Sequence, residues 1–565
     1  MQIQADYSDS MRDVRLVRVV MWITTTAAGL LQALAHRFAI SGDGNSYLDV
    51  ASAYLRGDLA NAISAYWSPF YSWLIAVVLW VFKPIGYWDA AILHLLAFAG
   101  LLVALRAFEF FFGIFLQAKE TFAHQEGETP RLPAFAWWVL GYGLFLSAML
   151  EVLTMYPTSP DSLVCAVTFL AAGVLLKIAV QGGRLFYFVL LGLILGAGYL
   201  VKAFYFPISF VFILTAWLAS RAPRKNVIGA VTALVVFALV AGPYVFALSR
   251  AKQRFTYGDV GKINYGYFMD QIDQPLFWEG GDGSGTPKHP ARIILPSPRV
   301  YEFAEPIGGS YPMWYDPSYW DDGIEPHFHF LNELRILRQS VGTFFLILLT
   351  QMEYAVGLAV LAFCSLQARE WIAVTRRQWF LWLPAAAACL GFASVLVEGR
   401  YVASFLVILW LAVFTSCLSS PSVASRRVAV AIVFGAVLLT CVKTAKYAVS
   451  DALAFPRQTN ESWEAAQELQ KLGIHAGDRV ALIGVLAEQH FLRLAKVKAV
   501  TELRYRDELE FWTGDAVLQD SVFRAFARTG AKIVIAVHAP VTVVKEGWTR
   551  LGTTDYYARP LVLKP

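Results

Sequence analysis

Two acidic and two basic residues stand where an otherwise apolar chain turns polar. Asp43 lies in Ser41-Gly-Asp-Gly-Asn-Ser-Tyr47, just past the first apolar run, and Asp161 follows Pro157-Thr-Ser-Pro160. Lys202 ends the stretch Gly196-Ala-Gly-Tyr-Leu-Val, and Arg400 sits in Glu398-Gly-Arg-Tyr401. A carboxylate can accept a hydroxyl proton, and two together can hold a divalent cation through oxygen ligands. Lys and Arg can offset phosphate charge. Each residue also has a plainer reading. Asp-Gly is common turn chemistry, an Asp after Pro can cap a helix, and long basic side chains at span ends snorkel to the interface. Glu398 paired with Arg400 would by itself account for both residues.

The elements that must position these residues are apolar. The chain has 565 residues, of which 57% are hydrophobic and only 16% charged, with a mean hydropathy of +0.51. A soluble chain of this length is about a quarter charged, so lipid is the expected solvent. The net charge of +5 is spread between apolar runs, which suits membrane orientation and not nucleic-acid binding. The five cysteines all fall inside apolar runs and encode no disulfide framework or metal spacing. About eleven runs approach the ~20 residues that span a bilayer: 19–38, 89–113, 135–153, 162–180, 185–201, 204–220, 227–249, 340–366, 379–397, 401–418 and 427–446. The first follows Arg12, Arg15 and Arg18 and is long for a signal h-region, so it reads as an uncleaved anchor.

Basic residues in short loops face the cytoplasm. Lys177, Arg184, Arg224, Lys225, Arg376 and Arg377 fit this with the N-terminus inside. Segments 250–338 and 447–565 then fall outside. The parity holds if Trp67–Phe82, which is aromatic and short, lies along the interface.

The loop 250–338 is rich in turn signals and aromatic residues, so an ordered, non-repetitive structure packed on the membrane core is expected. Within it Trp314, Tyr315, Tyr319 and Trp320 could stack on sugar rings or form a loop core. His289, His327 and His329 read as hydrogen-bonded loop structure more readily than as metal ligands. The tail has a helix over Glu461–Gly473 and strands over Arg479–Gly484 and Lys532–Val537, with helical patterns between them. That alternation predicts a small α/β domain with a parallel sheet. The division expected is a transmembrane domain over 1–450, including the outer loop, and an extracytoplasmic α/β domain over 451–565.

The motifs, in order and all on one side, resemble the GT-C superfamily of membrane glycosyltransferases, of the protein mannosyltransferase or aminoarabinose transferase type. That superfamily has an acidic residue beyond its first span, then Tyr, then an aromatic interfacial helix opening on Pro-Pro. Here Asp43, Tyr47 and Tyr66-Trp-Ser-Pro69 take those places, with one proline in place of two. Asp161 matches an acidic residue of its second outer loop. Glu398-Gly-Arg400-Tyr401 resembles a Glu-Arg-Tyr that opens a late span. The layout covers about residues 10–446.

The resemblance implies a bacterial inner-membrane enzyme that moves a sugar from a polyprenyl-phosphate donor to an acceptor hydroxyl outside. Asp43 and Asp161 would be catalytic. Lys202, Arg400, Tyr401, Tyr47, Trp314 and Tyr315 would bind substrate. Partners are the lipid donor, membrane lipids and an acceptor glycan, lipid or protein. No cofactor is specified, and a divalent cation is an open alternative. A transporter or flippase of a lipid-linked saccharide is the rival reading. It should show paired inverted repeats and broken mid-membrane helices, and no such pairing is visible in the sequence. A structural protein whose outer domains bind partners is a third reading.

Overall fold

The computed structural model describes residues 2–125, 132–220, 222–272, 277–281, 283–303, 309–365, 368–417, 423–484, 490–537, 539–540 and 547–561. In chain order the first helices are α1 (Gln2–Ala35), α2 (Gly42–Leu55), α3 (Leu59–Ala62), α4 (Pro69–Phe82), α5 (Asp89–Gln125) and α6 (Ala134–Leu146). A π-helical turn, Ser147–Leu153, continues α6. Then come α7 (Asp161–Gln181), α8 (Leu185–Val201), α9 (Tyr205–Ala219), α10 (Val227–Ala251) and α11 (Val260–Met269). The loop segment adds β1 (Arg292–Pro296), β2 (Arg299–Glu302), α12 (Pro312–Tyr315) and α13 (Pro317–Trp320). Apolar helices resume with α14 (Phe330–Thr350), α15 (Met352–Ser365), α16 (Ala368–Arg377), α17 (Trp379–Ala393), α18 (Gly399–Cys417) and α19 (Val423–Ala454). The tail holds α20 (Glu461–Lys471), β3 (Arg479–Ile483), α21 (Phe491–Leu494), β4 (Lys498–Leu503), α22 (Glu508–Thr513), α23 (Ala516–Arg528), β5 (Ile533–Val537), β6 (Thr549–Arg550) and β7 (Tyr556–Pro560). The chain divides into two compact units.

The first unit comprises 1–36, 94–246 and 333–457 and is helical among the described residues. Each of the eleven apolar runs is largely helical among the described residues. Among the described residues, seven helices are long and apolar enough to cross a membrane, or eight with one bent pair. Of the rest, α8 has 17 residues, and α9 and α17 have 15 each, at or just under the ~17-residue minimum for a straight span. The protein is a multi-pass membrane protein. The run expected as one span over 340–366 is instead α14 and α15, bent by 86°. The break falls at Gln351, a buried residue whose Nε2 donates to Ser147 Oγ (3.3 Å) and whose Oε1 accepts from Trp410 Nε1 (2.9 Å). A polar group satisfied by neighbouring helices is what lets a span break inside lipid. Two charged nodes tie further helices together. Glu109 accepts from Arg18 (3.0 and 3.1 Å), Trp22 (2.9 Å) and Tyr142. Lys443 bridges Glu151 (2.8 Å) in the π-helical turn and Glu353 (2.7 Å) on α15.

The second unit comprises 37–93, 247–332 and 458–565. Its centre is a seven-stranded sheet in the order β1-β2-β4-β3-β5-β7-β6. Strands β4, β3 and β5 are parallel, and the flanking pairs are antiparallel. β5 is buried along its whole length and β3 from Val480 to Ile483, as expected of strands covered on both faces. The two strands read from sequence are β3 and β5, parallel neighbours. β1 and β2 come from the loop, as a hairpin whose Tyr301 pairs with Glu502 of β4. α4 opens on Pro69 at its first turn and ends at Lys83 in a left-handed cap with φ 44°. Its 14 residues reach about 21 Å at 1.5 Å each, short of the ~30 Å hydrocarbon layer.

Two buried carboxyls make this unit sensitive to pH. Glu502 is fully buried and accepts from Tyr311 OH (2.7 Å), while its Oε1 has no hydrogen-bond partner among the described residues. Burial pushes its carboxyl up to about 8, and that of Asp321, bonded by Tyr267, up to about 7. A raised carboxyl keeps a proton that the unfolded chain releases, so its contribution is lost as pH rises from the ordinary value to the raised one. Glu502→Gln is therefore expected to gain stability over wild type at pH 8 and little at pH 5. Thermal unfolding at the two pH values, followed by amide exchange of residues 498–503, measures it. An equal shift at both values would show that Glu502 is ionised in the fold.

Candidate functional site

In the first unit the sequence motifs meet on one carboxylate. Pro160 caps α7 with φ −76° and Asp161 begins it, where a helix dipole favours an acidic side chain. The side chain is turned to other partners as well. Its Oδ2 accepts from Ser159 Oγ at 2.7 Å and lies 3.6 Å from Arg400 Nη1. Its Oδ1 accepts from Lys202 Nζ at 2.5 Å. Asp161 is 1% exposed, whereas the Lys202 and Arg400 side chains keep 24% and 18% exposure. Arg400 also bonds Glu398 at 2.5 Å and the Tyr401 hydroxyl at 3.1 Å. The Lys202 ammonium sits 3.8 Å from the centre of the Tyr401 ring, within cation–π range.

Glycines in the motifs make this approach possible. A Cβ on Gly198 would lie 2.8 Å from Val167 of α7 and 2.9 Å from Tyr205, so Gly198 lets α8 close on α7 and deliver Lys202. A Cβ on Gly399 would lie 2.7 Å from the Val152 carbonyl, so Gly399 lets the start of α18 meet the π-helical turn. Lys202 itself leaves the helix, with φ −153°, and its N–H caps Gly198. Gly192 and Gly196 serve packing against Ala233 and Val240 of α10.

In the second unit Asp43 is in the first turn of α2, not in an open turn. Ser41 caps the helix by accepting from Gly44 N at 3.3 Å. Residues 42–51 are all buried except Asp43, which stays partly exposed. Its plainer reading is therefore a helix-dipole aspartate and no longer a turn aspartate. Tyr47 is 6% exposed and packs on Trp67 and Tyr71, each ring centre 5.1 Å away. Tyr315 is also 6% exposed and donates to the Asn61 carbonyl at 2.5 Å. Both are interior residues of the unit. Trp314 is in α12, with its side chain outside the described residues. Tyr319 stacks on His289 at 4.0 Å and 5°.

Among the described residues no group of three or more His, Cys, Asp or Glu could hold a metal ion. Asp161 gives both oxygens to Ser159, Lys202 and Arg400, which does not fit a carboxylate shared with a divalent cation. His327 N donates to Asp270 Oδ2 at 2.9 Å, and His329 lies 4.0 Å from Asp270 Oδ1.

Sequence reading did not anticipate a second charged cluster, behind Asp43 on α2. Arg493 reaches Asp49 (2.8 Å), Asp89 (2.9 Å) and Ser52 (3.0 Å). His490 meets Asn45 at 2.6 Å. Burial, and then the Arg493 charge, hold His490 down to about 3, so it is neutral at pH 7. The available signal was the spacing of Asn45, Asp49 and Ser52, which share one helix face.

No protein-family model matches the chain, and no curated protein matches it. Among solved structures it is similar to ArnT from Cupriavidus metallidurans bound to undecaprenyl phosphate, over 98% of each chain at 14% identity and TM-score 0.49. The apo form of that protein aligns over 97% of this chain and 98% of its own, at 14% identity and TM-score 0.46. The Archaeoglobus fulgidus oligosaccharyltransferase in complex with Zn and sulfate aligns over 91% of this chain and 68% of its own, at 12% identity and TM-score 0.41.

Proposed function

We propose that the protein is a GT-C-type glycosyltransferase moving a sugar from a polyprenyl-phosphate donor to an acceptor hydroxyl at the outer face of a bacterial cytoplasmic membrane. One observation carries the reading. Two partly exposed cations, Lys202 and Arg400, are held by one buried carboxylate at the ends of apolar helices. Such a pair, anchored by a carboxylate and partly exposed, suits the charge of a lipid phosphate. In the proposed step the acceptor oxygen bonds to the anomeric carbon. The sugar–phosphate C–O bond breaks, and the phosphate leaves with its electron pair towards Lys202 and Arg400. A carboxylate base takes the acceptor proton, the role that the sequence motif gives Asp43. Asp161 holds the cations in place, and no step passes through a metal. The basic loops support an orientation with the N-terminus inside and the tail outside.

The transporter or flippase reading draws on a different observation, the Glu151–Lys443–Glu353 group among apolar helices, since intramembrane ionisable residues mark transport paths. Donor binding tests the first reading. Arg400→Ala is expected to weaken binding of a polyprenyl-phosphate sugar by about 1.5–3 kcal/mol, as for a hydrogen bond to a charged group. Arg400→Lys should recover part of this, keeping charge without the planar fork. Equal affinity in all three proteins would leave Arg400 as a residue of the helix end.

A further inference from the structure

The tail of the second unit reaches α2 through two side chains that the proposed step does not use. Both sit on α21, a short helix fixed to the sheet by Phe491 and Leu492, which are completely buried in the core that holds β3, β4 and β5. Its cap residue, His490, is 3% exposed and meets Asn45 Oδ1 at 2.6 Å. Arg493 donates from Nη1 to Asp49 Oδ1 at 2.8 Å, from Nη2 to Ser52 Oγ at 3.0 Å and from Nε to Asp89 Oδ2 at 2.9 Å. The second oxygen of Asp49 accepts from the Ser310 N–H and hydroxyl, both at 2.9 Å. One face of α2 is thus bonded at three positions to the tail and at one to the loop.

The geometry of the helix gives this clamp a direction. Asn45, Asp49 and Ser52 are spaced i, i+4 and i+7 and lie on one face. At about 100° per residue, that face is about 200° around the axis from Asp43. The clamp therefore grips the side of α2 opposite the proposed base. A short helix held on one face by directional bonds cannot turn about its axis without breaking them. The far side thus helps to fix the rotation of α2, on which the aim of the Asp43 carboxylate depends.

We infer that Arg493 and His490 are positioning residues for Asp43, which makes the tail a working part of the catalytic unit. The inference rests on the reading of Asp43 as the base. Asp49 and Asp89 are the carboxylates that receive Arg493, so its guanidinium matters through both its charge and its three-way fork. Lysine can supply the charge and reach one acceptor.

The test uses the full-length protein in lipid nanodiscs with a polyprenyl-phosphate sugar, comparing wild type with Arg493→Gln, Arg493→Lys and His490→Phe. A misaimed base should lower kcat by about 10²-fold, the scale of an ångström-sized misplacement. The donor KM should stay within about twofold, since ground-state binding is not touched. Arg493→Lys should recover part of kcat. Amide exchange of residues 42–55 should rise about tenfold in Arg493→Gln, with that of β3 unchanged. Unchanged kcat and unchanged exchange over 42–55 would overturn the inference. So would a fall in kcat matched by equal loss of protection in β3, in both Arg493→Lys and His490→Phe, because the role would then be general stability. If wild type transfers no sugar, the functional reading fails. The exchange pattern then still decides whether the tail fixes α2.

Discussion

Asp43→Asn is expected to lower turnover at saturating donor by about 10²–10⁴-fold, the usual loss when a general base is removed. The substitution keeps size and most hydrogen-bonding capacity, so it isolates the basic carboxylate. The competing account is electrostatic. Asp43 is in the first turn of α2, where a negative charge is worth about 0.3–1 kcal/mol against the helix dipole. That would appear as a small fall in stability with turnover nearly intact. The structure sharpens the contrast, because Asp43 alone stays partly exposed while the rest of residues 42–51 are buried. Activity within about threefold of wild type, far less than a lost base costs, would make Asp43 a dipole residue and remove the base from the proposed step.

Asp161→Asn should behave in the opposite way, with a large loss of stability. Asp161 is buried with two cations on it, and removing one partner of a buried ion pair costs about 3–5 kcal/mol. Lys202 and Arg400 retain 24% and 18% exposure, so water can rescue them in part. A cost of about 3 kcal/mol, at the low end of that range, is expected. It would be read as a fall in melting temperature in detergent, with weaker donor binding as the cations lose their anchor. An unchanged melting temperature would mean that the ion pairs contribute nothing to the fold, and the cluster would lose its structural basis.

The parts that were legible in the sequence were those encoded locally. The apolar runs became helices because run length and composition decide spanning segments. β3 and β5 could be read from Val480-Ala-Leu-Ile483 and Ile533-Val-Ile-Ala-Val537, short runs with the composition of buried strands. The break at Gln351 was not legible, because it depends on Ser147 and Trp410, which are distant in sequence. The hairpin β1–β2 was hidden for a similar reason. Arg292-Ile-Ile-Leu-Pro296 and Arg299-Val-Tyr-Glu302 are strands only through pairing with each other and with β4.

The candidate site divides along the same line. Asp161, Lys202 and Arg400 were found by motif, and the structure brings them together. The motifs carried no sign that Asp161's oxygens would be consumed by those cations. Tyr47 was chosen by motif and Tyr315 by ring type, neither of which reveals burial. The Arg493 clamp was invisible, since it joins residues 444 positions apart and a lone arginine in a helical turn has no pattern of its own.

The most direct test of the central claim is a transfer assay on the purified protein, with a panel of polyprenyl-phosphate-linked sugars and radiolabelled donor. The account predicts release of polyprenyl phosphate together with a glycosylated acceptor for at least one donor, with both products lost in Asp43→Asn. Tight binding of the lipid donor with no bond cleavage, and movement of the intact donor across a liposome membrane, would contradict it and establish the transporter reading.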